Sequence, residues 1–323
     1  MTTQTARIND PQAPLPARDW AILFGLSLLW AGSFFFYKVL APIVPPFTLV
    51  FARMGLSALT LLPVLLMSQP IRFERRAAWR LSLWFLVLGL LNCALPFCLF
   101  AWSERTIPSG LAALLNAPTP IVTAVIAHVI RDERLTRRTL AGVLLGFAGV
   151  AVLIGPGIGA LFDPHADDLA ILAEFACVLA TLSYAVGAVS ARRLRGLSPL
   201  QMAGGQAAGG TVLMAPLAIG VDRFWQLPPI GALGWASLFG IAVLSTSLAY
   251  LLFFRLLASS GATRAALVTF LVPVTALLLG LLFLGEPVQR RDGPAIALIG
   301  LGLAVIDGRL LRRFARKDAA PAM

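Results

Sequence analysis

The segment SGLAALLNAPTPIVTAVIAHVIRDERLTRRT (Ser109–Thr139) is written twice in this chain; its second copy reads ATRAALVTFLVPVTALLLGLLFLGEPVQRRD (Ala262–Asp292). Each copy leads from a small-residue run through a proline into an apolar block that ends at a glutamate. Pro273 follows Pro120 by 153 residues (273 − 120), and Glu286 follows Glu133 by the same 153 (286 − 133). That offset also maps Ala112-Ala113-Leu114 onto Ala265-Ala266-Leu267, Pro46 onto Pro199, Pro63 onto Pro216, Phe100 onto Phe253 and Gly149 onto Gly302. No gap is needed from residue 46 onward, so the chain reads as a duplication, and the duplication governs how every other feature is placed.

Working outward, the 323 residues are 59% hydrophobic and 13% charged, with a mean hydropathy of +0.85. Soluble domains carry about 25% charged residues. Apolar runs of roughly 20 residues recur along the chain, the length at which a helix crosses the ~30 Å hydrocarbon core. The runs are continuous rather than alternating, which disfavours a transmembrane barrel. The formal charge of +11 does not mark a nucleic-acid binder, because the basic residues sit in short loops and in the C-terminal tail. Cys93, Cys98 and Cys177 fall inside apolar runs and form neither a disulfide framework nor a metal spacing. His128 and His165 have no ligand partners at usable spacing, and no phosphate loop, hydrolase triad or HExxH motif is present. The sequence therefore predicts no enzyme, no catalytic residue, no metal and no cofactor.

The expected fold is an all-α polytopic membrane protein. Ten transmembrane helices are predicted near 20–40, 47–67, 79–102, 107–130, 138–155, 169–191, 199–220, 231–256, 262–284 and 293–307. The predicted organisation is a cytoplasmic tail (1–19), a first five-helix repeat (20–156), an outside linker (157–168), a second repeat (169–307) and a basic cytoplasmic tail (308–323). With the N-terminus inside, cytoplasmic segments hold 20 of the 26 Lys and Arg residues, and outside loops hold only Arg105, Arg223, Arg290 and Arg291. Both termini are accordingly expected in the cytoplasm of an inner-membrane protein. A repeat of five spans is odd-numbered, so its second copy enters the membrane upside down. Inverted repeats of this kind are a transporter architecture with the substrate site near the midplane.

The chain resembles the drug/metabolite transporter superfamily, specifically its EamA-type ten-helix branch. The resemblance is carried by WAGSFFFYK (Trp30–Lys38), by Arg53 followed by small residues, and by the two proline-to-glutamate modules with Gly142 and Gly149 after the first; it departs at Ala295, which stands where the first copy has Gly142. It covers about residues 20–307. The resemblance implies a central cavity lined by the first four and sixth to ninth helices, with the fifth and tenth as supports. It also implies export or exchange of small metabolites, amino acids or drugs.

Candidate site residues follow from the breaks. Asn116, Pro118 and Pro120 interrupt the fourth span, and Thr269 and Pro273 occupy the mirrored places in the ninth. A helix-interior proline removes a hydrogen bond and leaves a carbonyl to be met otherwise. Matched interruptions are the best sequence pointer to a transporter site, although the same prolines also serve as packing kinks. Trp30, Ser33, Phe34 and Tyr37 form one stripe on the first span, and Phe97 and Tyr250 are related by the repeat. The predicted substrate site is Trp30, Phe34, Asn116 and Thr269, walled by Phe97 and Tyr250. Arg53, Lys38 and Glu174 are candidates for charge or proton coupling in a polar outer vestibule. The structural alternatives are snorkelling of Lys38 and an Arg53–Glu174 ion pair. Glu133 and Glu286 read as structural, pairing with arginines at helix ends. Gly142-xxx-Gly146 with Gly149, and Gly205-xxx-Gly209, permit close helix contact within a chain or between chains, so the oligomeric state stays open. The function expected is inner-membrane export of small metabolites, such as amino acids or similar amphipathic compounds, by alternating access. The partners expected are a small-molecule substrate, a proton as candidate coupling ion and the lipid bilayer. Multidrug efflux is the alternative within transport, and a non-transporting membrane scaffold the alternative outside it.

The charge bias and the odd repeat predict a topology. Asp167→Cys and Arg291→Cys are labelled by an impermeant thiol reagent on intact cells, whereas Arg76→Cys and Arg137→Cys are not. Labelling of the second pair from outside contradicts the inversion.

Overall fold

A run of apolar side chains can sit in hydrocarbon only if its backbone groups bond to one another, which makes each long run a helix. The computed structural model describes residues 17–68, 75–130, 137–160, 168–194, 196–260 and 268–307, and among them there is no strand. The readings of the N-terminal tail, Glu133, His165 and the basic C-terminal tail lie outside the described residues. Among the described residues, seven helical runs are long and apolar enough to cross a membrane: Ala17–Leu40, Pro46–Leu65, Trp79–Ser103, Ser109–Val129, Asp168–Ala191, Leu200–Gly220 and Gly231–Phe253. Three shorter apolar helical runs, Leu140–Val152, Leu271–Leu284 and Asp292–Gly302, fall where the sequence places its fifth, ninth and tenth spans. The molecule is an all-helical polytopic membrane protein.

The first half comprises α1 (Ala17–Leu40), α2 (Pro46–Ser68), α3 (Arg75–Gly89), α4 (Leu95–Ser103), α5 (Ser109–Asn116), α6 (Thr119–Val129) and α7 (Arg137–Ala160). The second half comprises α8 (Asp168–Ala191), α9 (Pro199–Gly220), α10 (Gly231–Phe239), α11 (Ala249–Ser260), α12 (Val268–Leu279) and α13 (Asp292–Asp307). A π-helical turn, Leu90–Ala94, joins α3 to α4, and a longer one, Gly240–Leu248, joins α10 to α11. A third, Gly280–Leu284, extends α12 and ends at Gly285, whose φ of 66° only glycine adopts freely and which turns the chain into Glu286. Local signals set the other ends. Ser198 caps α9 by a reciprocal bond with Gln201, with Pro199 as first helical residue. Pro63 and Pro216 lie inside α2 and α9 at the repeat offset.

The two halves interleave. α2 packs on α9, α7 on α13, α1 on α12 and α8 on α5 and α6; α8 also covers α4, as α1 covers α11. The exterior is apolar, with Leu59, Leu144, Leu282 and Phe283 exposed, whereas Arg53, Ser57, Ser245 and Thr246 are buried. That inside-out polarity suits lipid, where apolar contact between helices gains nothing and close packing and interhelical hydrogen bonds hold them together.

The glycine faces resolve to contacts within one chain. A Cβ at Gly302 meets the Gly142 carbonyl at 2.6 Å and the Gly146 nitrogen at 2.8 Å, and one at Gly149 meets the Ala295 carbonyl at 3.1 Å. Gly209 lies as closely against the backbone of Phe85 in α3. These obstacles are backbone atoms, which no side-chain rotation removes. Gly302→Ala is therefore expected to cost about 1–3 kcal/mol by overpacking and to lower the unfolding midpoint in detergent. Gly25→Ala, with nothing within 4 Å of its new Cβ, is expected to leave the midpoint unchanged or raise it. Equal midpoints for Gly302→Ala and wild type contradict the helix contact.

Candidate functional site

A π turn carries one residue more than its helix accommodates and leaves carbonyls without their usual partners, which is why such turns collect at functional sites. Moved by the repeat offset, the Leu90–Ala94 turn falls on residues 243–247, inside the Gly240–Leu248 turn, so the two irregularities are matched. Hydroxyl side chains meet their carbonyls. Thr246 Oγ1 donates to Ile241 O at 2.8 Å, Ser247 Oγ to Ala242 O at 3.2 Å, and Ser183 Oγ, from α8, to Leu91 O at 2.8 Å. The break between α5 and α6 is treated the same way. Pro120 has no N–H for the Asn116 carbonyl, and Thr119 Oγ1 donates to it at 2.6 Å, while Thr181 Oγ1, from α8, donates to Leu115 O at 3.0 Å. The Asn116 carbonyl, expected to stand open toward a substrate, is thus already met within its own turn. Its side-chain oxygen accepts a second bond from Thr119, at 3.0 Å.

Arg53, on α2, reaches the second π turn. Its guanidinium donates to Thr246 Oγ1 at 3.0 Å, to Tyr37 Oη at 2.6 Å and to Ser33 Oγ at 3.3 Å, joining α1 and α2 to the second half. The Phe97 ring lies against it, centroid 3.7 Å from the guanidinium carbon, in cation–π contact. Arg53 is 3% exposed, and among the described residues no carboxylate pairs with it. The anticipated Arg53–Glu174 ion pair is not formed; Glu174 Oε1 faces Arg291 Nη2 at 3.5 Å instead. The distance along α8 and the short reach of a glutamate give Glu174 to the outer loop. At the repeat-related position stands Gln206, which donates to Tyr250 Oη at 3.2 Å and accepts from Asn92 Nδ2 at 3.2 Å.

The predicted aromatic residues converge in part. Phe34 meets Phe100 edge-on at 5.4 Å, and Tyr184 of α8 joins Phe100 and Phe97, each at 6.3 Å. Trp30 instead packs on Phe253 at 5.4 Å, one turn from Tyr250. Thr269 lies in α12, and its side chain is outside the described set. The cluster also takes in Tyr184, Phe100 and Thr246, which the sequence reading did not place in the predicted site. The repeat offset already pairs Phe100 with Phe253, and that pairing was the available signal.

The end of α1, the turn between α4 and α5 and the segment after α12 close over this cluster at one end of the bundle. Lys38, read as a vestibule cation, donates Nζ to the carbonyls of Glu104 and Ile107 at 2.8 and 2.9 Å, capping the turn after α4. Glu286, expected to pair with an arginine, accepts instead from Ser109 N at 2.9 Å, Ser109 Oγ at 2.7 Å and Gly110 N at 3.4 Å. A carboxylate at those orphan amides also suits the positive end of the α5 dipole. Ser103 Oγ ties the same turn to Ala173 O of α8 at 2.9 Å. Glu104 lies inside this layer, fully buried. Burial pushes its carboxyl well above the usual range, Lys38 and Arg53 pull it down, and Glu286 pushes it up.

A chain with matched helix breaks, a buried cation and a layer closed at one end has the parts of a membrane carrier, and the comparisons agree. The profile of the EamA-like transporter family matches residues 20–155 and again 171–307. The uncharacterized transporter YvbV of Bacillus subtilis (strain 168) is 25% identical over 91% of this chain and 93% of its own length. The uncharacterized inner membrane transporter YedA of Escherichia coli (strain K12) is 27% identical over 88% of this chain and 89% of its own. A solved crystal structure, 20% identical, superposes with a TM-score of 0.62 over 91% of this chain and 98% of that one, a likeness of fold. Two matches in tandem, together covering most of the chain, place it: this protein belongs to the EamA-like transporter family and is a multi-pass membrane transporter.

Proposed function

We propose that the protein exports small amphipathic metabolites bearing an anionic group, amino acids among them, across an inner membrane by alternating access. The observation that carries this reading is Arg53, a buried cation with no carboxylate partner among the described residues. A charge at the bilayer centre costs at least about 2.5–3.5 kcal/mol, and such residues mark substrate paths. Three of the guanidinium's five donors are engaged, so two are left for a carboxylate. The neighbouring Ser245 hydroxyl is buried with no partner among the described residues and supplies a further polar contact. Phe34, Phe97, Phe100 and Tyr184 offer the apolar wall, with Trp30 and Asn116 beneath. Arg53 also weighs against efflux of lipophilic cations, which it repels.

Ten spans in two inverted repeats complete the reading. Support comes from the tandem family match, the 153-residue offset, and packing pairs that the offset exchanges: α1 on α12 becomes α8 on α5 and α6, and α8 on α4 becomes α1 on α11. The inner-membrane location rests on the loop charges and on the similarity to the inner membrane transporter YedA, and the cytoplasmic termini on the loop charges alone.

Purified protein in liposomes is expected to exchange carboxylate-bearing amphipathic compounds and not lipophilic cations; movement of cations alone sinks the reading. Arg53→Lys keeps the charge but loses the planar fork, and a lost charge-assisted bond is worth ~1.5–3 kcal/mol, so counterflow falls about tenfold or more at near-normal folded yield. Trp30→Ala and Asn116→Ala weaken binding of the transported compound in direct titration. Leu145→Ala, in the supporting α7, lowers stability more than affinity. Normal binding by the first two removes them from the site.

A further inference from the structure

The carboxyl of Glu104 is 0% exposed, and neither of its oxygens has a hydrogen-bond partner among the described residues. Its one cationic neighbour within reach, Lys38, spends its ammonium on two backbone carbonyls, one of them Glu104's own. An ionised carboxylate buried without a donor is among the most costly arrangements a protein can hold, and such a group neutralises instead. The groups around it do not supply the missing charge. From α1 it is faced by Lys38 and Tyr37, from α2 by Arg53, from α8 by Cys177 and, one turn away, Glu174, and from the end of α12 by Glu286. Arg53 is bound by Tyr37, Ser33 and Thr246, Glu174 by Arg291, and Glu286 by the α5 amides. No bound group explains the placement of Glu104, and it sits where Lys38, Ser103 and the Glu286 contacts close the outer face.

We propose that Glu104 is a proton-binding site that keeps the outer mouth shut while occupied and lets it open when the proton leaves, an inference that rests on the alternating-access reading. The step is a simple acid dissociation. The carboxyl O–H bond breaks, the proton passes to water on the outer side, and the electron pair stays on the carboxylate. The Lys38 ammonium then turns from the Glu104 and Ile107 carbonyls to the new anion, which uncaps the turn between α4 and α5. That turn leads directly into Ser109, the residue held by Glu286, so loss of the cap loosens the joint between the halves. Burial holds the acid neutral at pH values where an ordinary glutamate is ionised, so the closed form is favoured as pH falls and the open form as it rises through the raised value.

Two measurements without substrate test this. Infrared difference spectra of purified protein at about pH 7 are expected to contain a protonated-carboxyl carbonyl band. The band disappears in Glu104→Gln and Glu104→Ala and stays in Glu174→Gln. For gating, Leu111→Cys, 5% exposed behind the latch, is placed in a background with Cys93, Cys98 and Cys177 replaced by alanine. Its labelling by an impermeant reagent is scaled to the exposed Val288→Cys, which removes the reagent's own pH dependence. Scaled labelling is expected to rise roughly tenfold from about pH 6 to about pH 9, and to stay low and flat in Glu104→Gln. Absence of the band in wild type, its survival in Glu104→Gln, or an unchanged pH profile in that variant overturns the proposal; the wild-type spectrum decides even if the variants fail to fold. Because neither readout uses a substrate, a protein that gates as described yet moves no amphipathic anion contradicts the proposed function alone.

Discussion

The fold is arranged around a buried guanidinium. Arg53 sits away from water, donates its hydrogen bonds to hydroxyls on α1 and the second π turn, and lies on the face of Phe97. Each partner follows from a local feature. Thr246 is free to accept because the π turn displaces it, and it donates in turn to Ile241 O. Tyr37 and Ser33 lie one turn apart on α1, the spacing that brings both to one arginine. Removing the arginine would leave these polar groups in an apolar interior, so the tie and the irregular backbone are mutually dependent. They also join the halves, since Arg53 and Thr246 lie in different copies of the repeat.

Around that tie the bilayer's demand for satisfied backbone explains the remaining polar residues. Ser183, Thr181, Thr119 and Ser247 each spend a hydroxyl on a carbonyl released by a π turn or a proline. Glu286 does the same for the amides that open α5. The buried polar side chains therefore divide. Some are consumed by the backbone, and those left with capacity among the described residues include Arg53, the Ser245 hydroxyl and the Glu104 carboxyl.

Much of the fold was legible because the repeat offset and the apolar run lengths act over the whole chain and do not depend on any one contact. The breaks in the fourth span were legible because proline has no N–H. The π turns were not, since Leu90–Ala94 contains no proline and no unusual residue; only the tertiary contacts of α9 and α8 select that geometry. Arg53, Phe34 and Phe97 were singled out by their placement in the spans, whereas the alternative of an Arg53–Glu174 pair is not what forms. Sequence spacing gives a residue's depth and not its azimuth, and Glu174 faces Arg291. Glu104 was passed over because a glutamate at the end of an apolar run looks like an interfacial charge, and its burial is created by α1 and α8 closing over it.

The central claim is that the two halves trade places, one mouth closing as the other opens. Electron–electron distance measurements on spin-labelled protein in liposomes test it most directly. One label pair, Ile43→Cys with Val288→Cys, reports on the outer ends, both positions being exposed. The other, Gly196→Cys with Leu135→Cys, stands at the repeat-related positions in sequence, 153 residues away from each, which the loop charges predict to face inside. The account predicts two distance populations in each pair, with the longer outer population growing as the longer inner one shrinks when a transported anion is added. Distances that widen together, or that do not respond in either pair, contradict it.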